Sequence, residues 1–375
     1  MNTYDFPGWL ASEVRATIQD MRALAAKELA PIAAAGKPGR IDRPLVKALG
    51  EHGVLSRIFP SDGSASAVTL CALREGLAGG STDAETAFAL QGLGSYPIVQ
   101  SGSDELRERW IPGVARGEIV AGFALTEPDA GTDAAALNLV AEKVDGGYRL
   151  SGTKKWISNA PDADVYSLFA RTSDNGARGV TAFVVAGESE GLTGESLDLL
   201  APHAIGTLEL DGVFVDDEAV LGEVDAGFAV AMRTLDLFRP SVGAFAVGMA
   251  QAALDAATEH AGERMSMGKP LREFQAVSHQ LAEAAARTKA ARLLVYDAAA
   301  TYDAGERVTK AAAIAKLYAT ETAQWVIDAA LQIHGASGLE KGHLLEHLYR
   351  DVRATRIYEG TSEIQREIIA RELYR

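Results

Sequence analysis

Glu359 stands between an aromatic and a glycine in Tyr358-Glu359-Gly360-Thr361-Ser362-Glu363-Ile364-Gln365, where a carboxylate on a rigid turn could serve as a general base. Thr361 or Ser362 can cap the helix that follows, with Gln365 three residues after Ser362 completing a capping box. Alone, a loop glutamate is ordinarily a solvated carboxylate. Three further tracts bear on it. Gly122-Phe123-Ala124-Leu125-Thr126-Glu127-Pro128-Asp129-Ala130-Gly131-Thr132-Asp133 starts like a strand and becomes a hydroxyl-rich turn, either an ordinary connection or a source of donors for a polar ring edge. Ser151-Gly152-Thr153-Lys154-Lys155-Trp156-Ile157-Ser158-Asn159-Ala160 sets an indole beside hydroxyls, to cover a flat cofactor or to fill core. Arg264-Met265-Ser266-Met267-Gly268-Lys269-Pro270-Leu271, with Phe274-Gln275, places cations near a helix start, a sound position for pyrophosphate.

Other chemistries fit less well. No G-x-G-x-x-G follows a strand and no G-x-S-x-G occurs. Between Gly262 and Lys269 five residues separate the glycines, and Pro270 replaces the hydroxyl that a phosphate loop uses on magnesium. His343-Leu344-Leu345-Glu346-His347 satisfies H-x-x-E-H, with two histidines on one helix face, so a zinc peptidase is the alternative from a different class. Such a site also needs a third ligand and supporting partners, and the pattern equally suits a solvated helix face.

The elements that must position these residues fall into three stretches. From Trp9 to about Gly117, apolar residues recur three and four apart, as in Val14, Ile18, Met21 and Leu24, predicting helices broken at Gly36-Lys37-Pro38-Gly39, Pro60-Ser61-Asp62-Gly63 and Gly79-Gly80. Between about Ile119 and Glu223, strands are predicted at Tyr148 to Leu150, Val165 to Ala170, Val180 to Val185 and Leu208 to Val215. Turns are expected at Asp145-Gly146-Gly147, Asp174-Asn175-Gly176 and Asp211-Gly212. After Gly227 the helical period returns through Val242, Phe245 and Met249 to the last residues, predicting an antiparallel bundle. The expected domains are 1–118, helical; 119–226, β; and 227–375, a helical bundle.

A net charge of -15 over 375 residues argues against non-specific attraction to nucleic acid or anionic lipid, which needs a basic face, and leaves room for a local basic pocket for an anionic cofactor. Cys71 is the only cysteine, so an intrachain disulfide and a cysteine-based zinc site are both excluded. Neither a secretory leader nor an apolar run of about 18 residues is visible, and a cytoplasmic chain without membrane contact is expected.

Taken together and in order, these tracts resemble the acyl-CoA dehydrogenase family, in its short- and medium-chain-like branch, over essentially the whole chain. The resemblance implies a mostly α fold: an N-terminal helical domain, a β-barrel-like middle domain and a C-terminal four-helix bundle. It implies a homotetramer, a dimer of dimers, binding FAD and an acyl-CoA, with electron transfer flavoprotein as acceptor. By resemblance Phe123, Leu125, Thr126, Trp156 and Ser158 flank the flavin ring, and Thr361 and Gln365 also touch the cofactor. Arg264, Ser266, Gln275 and the tract from Gln332 to Ala336 would contact the FAD of a neighbouring subunit. Thr132, Asp236, Arg239, Tyr96, Tyr358 and Gly360 would lie along the substrate, with Glu359 as the catalytic base. Ser158 stands where threonine is usual and keeps its hydroxyl; Met267 replaces a common aromatic and Ala336 a common glycine. The loop Phe59-Pro60-Ser61-Asp62-Gly63 is shorter than the family's.

The reaction so implied is α,β-dehydrogenation of an acyl thioester to a trans-2-enoyl thioester. Some branches carry the base near Phe238 and Arg239, where this chain has no carboxylate at the matching position. Ser81 to Gln100 contains no Lys or Arg, which disfavours a dicarboxylic substrate. Gly92, Gly94 and Ser95 would leave room that Tyr96 closes, suggesting a short, branched or cyclic acyl group. Alternatives within the same chemistry are an acyl group on a carrier protein and an oxidase passing electrons to oxygen.

Overall fold

Helix-forming residues at three- and four-residue spacing fold the first stretch into α1 (Ser12–Leu24), α2 (Ala30–Ala35), α3 (Arg43–Glu51), α4 (Ala67–Gly80), α5 (Thr82–Ser101) and α6 (Asp104–Ala115). A π-helical segment, Ala25–Leu29, joins the first two. The structure, a computed structural model, describes residues 4–59, 65–201 and 203–375, so residues 60–63 of the shortened loop lie outside the described residues.

Seven strands follow: β1 (Ala121–Ala124), β2 (Val140–Val144), β3 (Gly147–Ser158), β4 (Val165–Arg171), β5 (Val180–Ala186), β6 (Leu192–Thr193) and β7 (Ile205–Asp216). They form one curled sheet in the order β1-β4-β2-β3-β7-β6, with β5 on β4. The last stretch holds α7 (Gly227–Glu263), a small hairpin of β8 (Met265–Ser266) and β9 (Lys269–Pro270), then α8 (Gln275–Asp303), α9 (Thr309–His334), α10 (Leu344–Thr355) and α11 (Ser362–Leu373).

Two sequence expectations are corrected in the sheet. β3 runs on past Leu150, where the expected strand ends, to Ser158, because Lys154 turns into the interior and is satisfied there. Asp211-Gly212 is not a hairpin turn. It lies within β7, opposite a register shift between Leu150 and Gly152, and Gly212 at φ +64 supplies the backbone that the bulge requires.

The chain forms two compact units. One comprises 31–65 and 86–235. Its core gathers Ile98, Leu106, Ala121, Leu125, Val165, Phe169, Val180, Val184 and Val230, all buried. Gln91 fastens α5 to the start of β1, donating to the Ile119 carbonyl at 2.7 Å and accepting from the Ala121 N–H at 2.8 Å. Gly94 does not open acyl space as expected: a Cβ there would meet the Ala121 carbonyl carbon at 2.7 Å, so its lack of side chain lets the helix lie on the strand.

The other unit comprises 1–30, 66–85 and 236–375. In it α8, α10 and α11 all pack on α9. Leu345, Leu348, Val352 and Thr355 form the buried stripe of α10, spaced as one helical face requires. Small residues on α9, among them Ala312, Ala315, Ala319 and Ala323, let its neighbours approach closely.

Candidate active site

Glu359 lies in the turn between α10 and α11 at φ +52, a left-handed conformation costing a non-glycine residue about 1–3 kcal/mol. Such strain persists where surroundings over-determine it, and here they do. Arg239 on α7 donates from Nε to the Glu359 carbonyl at 3.3 Å, and Lys316 on α9 from Nζ to the Gly360 carbonyl at 2.7 Å. Gln365 Nε2 donates to both carbonyls, at 3.2 and 3.0 Å. The expected capping box is therefore not made. Thr361 caps α11, accepting from the Ile364 N–H at 3.4 Å, while Gln365 turns back to hold the turn and its Oε1 is buried without a partner among the described residues.

The Glu359 carboxyl is free of these ties, and its Oε2 is buried with no hydrogen-bond partner among the described residues. Burial raises it above the ordinary carboxylate range, opposed by the charges of Arg74, Arg239 and Lys316. Burial also lowers Lys316 to about 8 and lowers Arg239 from its usual value. Asp236 sits 3.7 Å from Arg239 Nη1, its carboxyl raised by burial. Tyr358 flanks the base, its phenol raised well above normal, chiefly by burial.

Sequence reasoning missed three members of this cluster. Arg74 on α4 binds Glu85 on α5 through Nε and the Ser241 hydroxyl through Nη1, the latter at 2.7 Å. Both charged side chains are almost wholly buried, and burial pushes Glu85 up to about 7. Lys316 is the third. The available signal was an ionisable residue inside an apolar run, as in Cys71-Ala72-Leu73-Arg74 and Ala312-Ala313-Ile314-Ala315-Lys316.

At another place in the same unit, the His260 and His334 rings stack with centroids 4.2 Å apart. That contact brings the end of α7, next to Arg264, to the end of α9, next to Gln332 and Ala336. Arg264, Gln275 and Ala336 are exposed; Ser266 is half-buried on β8 and Gln275 opens α8. Arg264 is tied by its carbonyl to the Leu271 N–H at 2.9 Å, four residues before the 29-residue α8, and an exposed guanidinium ahead of a helix start suits a phosphate-bearing group.

The H-x-x-E-H side chains turn to separate partners. His343 accepts from the Leu345 N–H at 3.2 Å, Glu346 pairs with Arg350 at 2.7 Å, and His347 lies 3.0 Å from Asp351 and 2.7 Å from the Thr82 hydroxyl.

In the unit of the sheet, the Lys155 N–H donates to the Thr126 carbonyl at 3.0 Å and Lys154 Nζ to the Leu125 carbonyl at 2.9 Å, which brings the 123–126 and 154–158 tracts together. Lys154 also pairs with Glu127 at 2.8 Å, and Glu127 accepts from the Asn138 and Leu139 N–H groups. The rings of Phe123 and Phe169 pack 5.0 Å apart and Leu125 is buried in the core, so these two offer backbone rather than side chain. Trp156 stands at a register shift with φ +57 and is 44% exposed, an apolar face held out two residues before Ser158 and with Lys155 Nζ 5.1 Å from its ring. With the hydroxyls that Thr126 and Ser158 bring to the two tracts, it fits a flat ring with a polar edge. Thr132 is exposed in the bend after β1, and Tyr96 is buried on α5. Among the described residues, no helix is long and apolar enough to cross a membrane.

Comparison with known proteins assigns this arrangement to a family. The N-terminal, middle and C-terminal domain models of acyl-CoA dehydrogenase match residues 11–118, 122–213 and 225–374. The chain is 36% identical over 371 residues to a cyclohexane-1-carbonyl-CoA dehydrogenase of Geobacter metallireducens, covering 97% of this chain and 98% of that one. It is 39% identical over 282 residues to the caffeyl-CoA reductase-Etf complex subunit CarC of Acetobacterium woodii, covering 74% of each. The structure of butyryl-CoA dehydrogenase from Megasphaera elsdenii superposes with a TM-score of 0.92 at 33% identity, covering 99% of this chain and 100% of that one. The chain belongs to the acyl-CoA dehydrogenase family.

Proposed function

We propose that Glu359 is the base of an FAD-dependent acyl-CoA dehydrogenase, removing the α-proton of the thioester. The observation that carries this reading is a carboxyl whose Oε2 is buried and without a partner among the described residues, on a turn that four side-chain hydrogen bonds hold in a strained conformation. A thioester α-proton is too weakly acidic for a carboxylate in water, so the site must both raise the base and stabilise charge on the thioester oxygen. Burial raises Glu359, and the resemblance assigns its N–H as one donor to that oxygen. Arg239 and Asp236 position the turn beside the substrate, with Tyr358 and Gly360 flanking it. Bound FAD would supply the acceptor for the β-hydrogen, which leaves as hydride.

For the cofactor, the proposed holders are Phe123, Leu125, Thr126, Trp156 and Ser158 around the ring, with Thr361 and Gln365. Arg264, Ser266, Gln275, Gln332 and Ala336 are assigned to the FAD of a neighbouring subunit in a homotetramer, supported by the exposure of Arg264, Gln275 and Ala336. Electron transfer flavoprotein is the proposed acceptor, supported by the Etf complex named for the Acetobacterium relative. A short or cyclic acyl group is proposed from the cyclohexane-1-carbonyl and butyryl relatives. A dicarboxylic substrate stays disfavoured, because Arg74 and Arg107, the cations that flank α5 in sequence, are already tied to Glu85 and to the Val99 carbonyl and Asp104.

The test is anaerobic bleaching of the bound flavin by butyryl-CoA, cyclohexane-1-carbonyl-CoA and glutaryl-CoA. Bleaching by either of the first two is expected, and none by glutaryl-CoA. Bleaching by no CoA ester would overturn the substrate assignment.

A further inference from the structure

One turn of α7 holds two separate attachments. Arg239 donates to the Glu359 carbonyl at 3.3 Å, and two residues on, Ser241 accepts from Arg74 Nη1 at 2.7 Å while donating to the Phe238 carbonyl at 2.7 Å. Arg74 is thereby fixed to the helix turn that holds the base, and its Nε is taken by Glu85. A guanidinium, a carboxylate and a hydroxyl, all buried, are costly to desolvate and contribute little stability over an apolar packing of the same volume. Their placement calls for another reason.

We propose that Arg74 is a positioning residue for the base: clamped between Glu85 and Ser241, its guanidinium is the counter-charge that keeps the Glu359 carboxyl ionised while buried. This rests on Glu359 being the base. Arg239 and Lys316 spend hydrogen bonds on backbone carbonyls, whereas Arg74 is bonded among the described residues to the Glu85 and Ser241 side chains, and its charge favours the ionised Glu359 carboxyl. The charged and titratable groups around the base come from every packed element: Arg74 on α4, Glu85 on α5, Asp236 and Arg239 on α7, and Lys316 and Glu321 on α9. Asp351 on α10, Tyr358 in the turn, and Glu363 and Arg371 on α11 complete the set. Glu85 repels the Glu359 charge and, with a carboxyl near 7, takes up a proton as pH falls. Protonation of Glu85 leaves the Arg74 charge without its carboxylate partner.

The experiment is the initial rate of flavin bleaching by butyryl-CoA and cyclohexane-1-carbonyl-CoA, followed across pH in the holoenzyme. Arg74→Gln should move the acid limb up by about 1–3 pH units, the usual influence of a neighbouring opposite charge on a carboxyl. Arg74→Lys should return it toward wild type, and Glu85→Gln should leave it at or below the wild-type position. A merely structural role lowers the rate without moving the limb, and that result for Arg74→Gln would overturn the proposal. If Arg74→Gln does not fold, Glu85→Gln decides: an upward shift overturns it and a limb at or below wild type supports it. Wild-type bleaching by Glu359→Gln would remove the base and this role together, whereas an inactive Glu359→Gln with an unmoved Arg74→Gln limb would remove only this role.

Discussion

Arg239 reaches Glu359 through the main chain, its Nε 3.3 Å from the carbonyl oxygen, so the cation fixes the turn and leaves the carboxyl Oε2 without a hydrogen-bond partner among the described residues. A lysine there keeps the charge but not the planar fork that aims it. Arg239→Lys should slow flavin bleaching roughly 10- to 100-fold, the equivalent of a hydrogen bond from a charged donor, with little change in half-saturation. A rate within twofold of wild type would show that the bond does not set the turn.

Gly360 has φ +97, and a Cβ there would meet Gln365 Nε2 at 2.6 Å. Gly360→Ala should cost about 1–2 kcal/mol in backbone strain. It should also push Gln365 off the two carbonyls it holds. Denaturant unfolding and bleaching rate should both fall; unchanged stability would mean that the turn has relaxed to another conformation.

Lys154 is buried and bonded to the Leu125 carbonyl and to Glu127, and burial lowers it to about 8, so it is still charged at neutral pH. Lys154→Met leaves the Glu127 carboxylate buried without its cation, which costs about 3–5 kcal/mol. The 123–126 tract should loosen, and the protein should shed flavin on dilution faster than wild type. Retention at the wild-type rate would separate this pair from cofactor binding.

Glu85 is raised from 4.5 to about 7, so between those values the folded protein holds a proton that the unfolded chain has released. Its contribution to stability is full below 4.5 and is lost as pH rises through about 7. Glu85→Gln should flatten the fall in unfolding free energy over that window. An identical slope in both proteins would place the Glu85 titration elsewhere.

Much of this site was legible because its chemistry is local. Tyr358, Glu359, Gly360 and Thr361 are consecutive, and the cap that starts α11 sits among them. What stayed hidden depends on conformation or on long-range packing. The positive φ of Glu359 and Trp156 has no residue signature, since neither is a glycine. Arg74, Glu85, Ser241 and Lys316 come from four helices, and spacing alone does not say that their buried faces meet. The second half of β3 gives no strand signal because Lys154 looks solvated until its partners are seen. Gln365 had a plausible role as a capping-box residue; the carbonyls of a strained turn competed for its amide and won.

The most direct test of the account is Glu359→Gln, nearly isosteric and unable to accept the proton. The variant should bind FAD with an unaltered oxidised spectrum and bleach with butyryl-CoA or cyclohexane-1-carbonyl-CoA about 10²- to 10⁴-fold more slowly, the usual contribution of a positioned general base. Bleaching at the wild-type rate would contradict the assignment of Glu359 as the base.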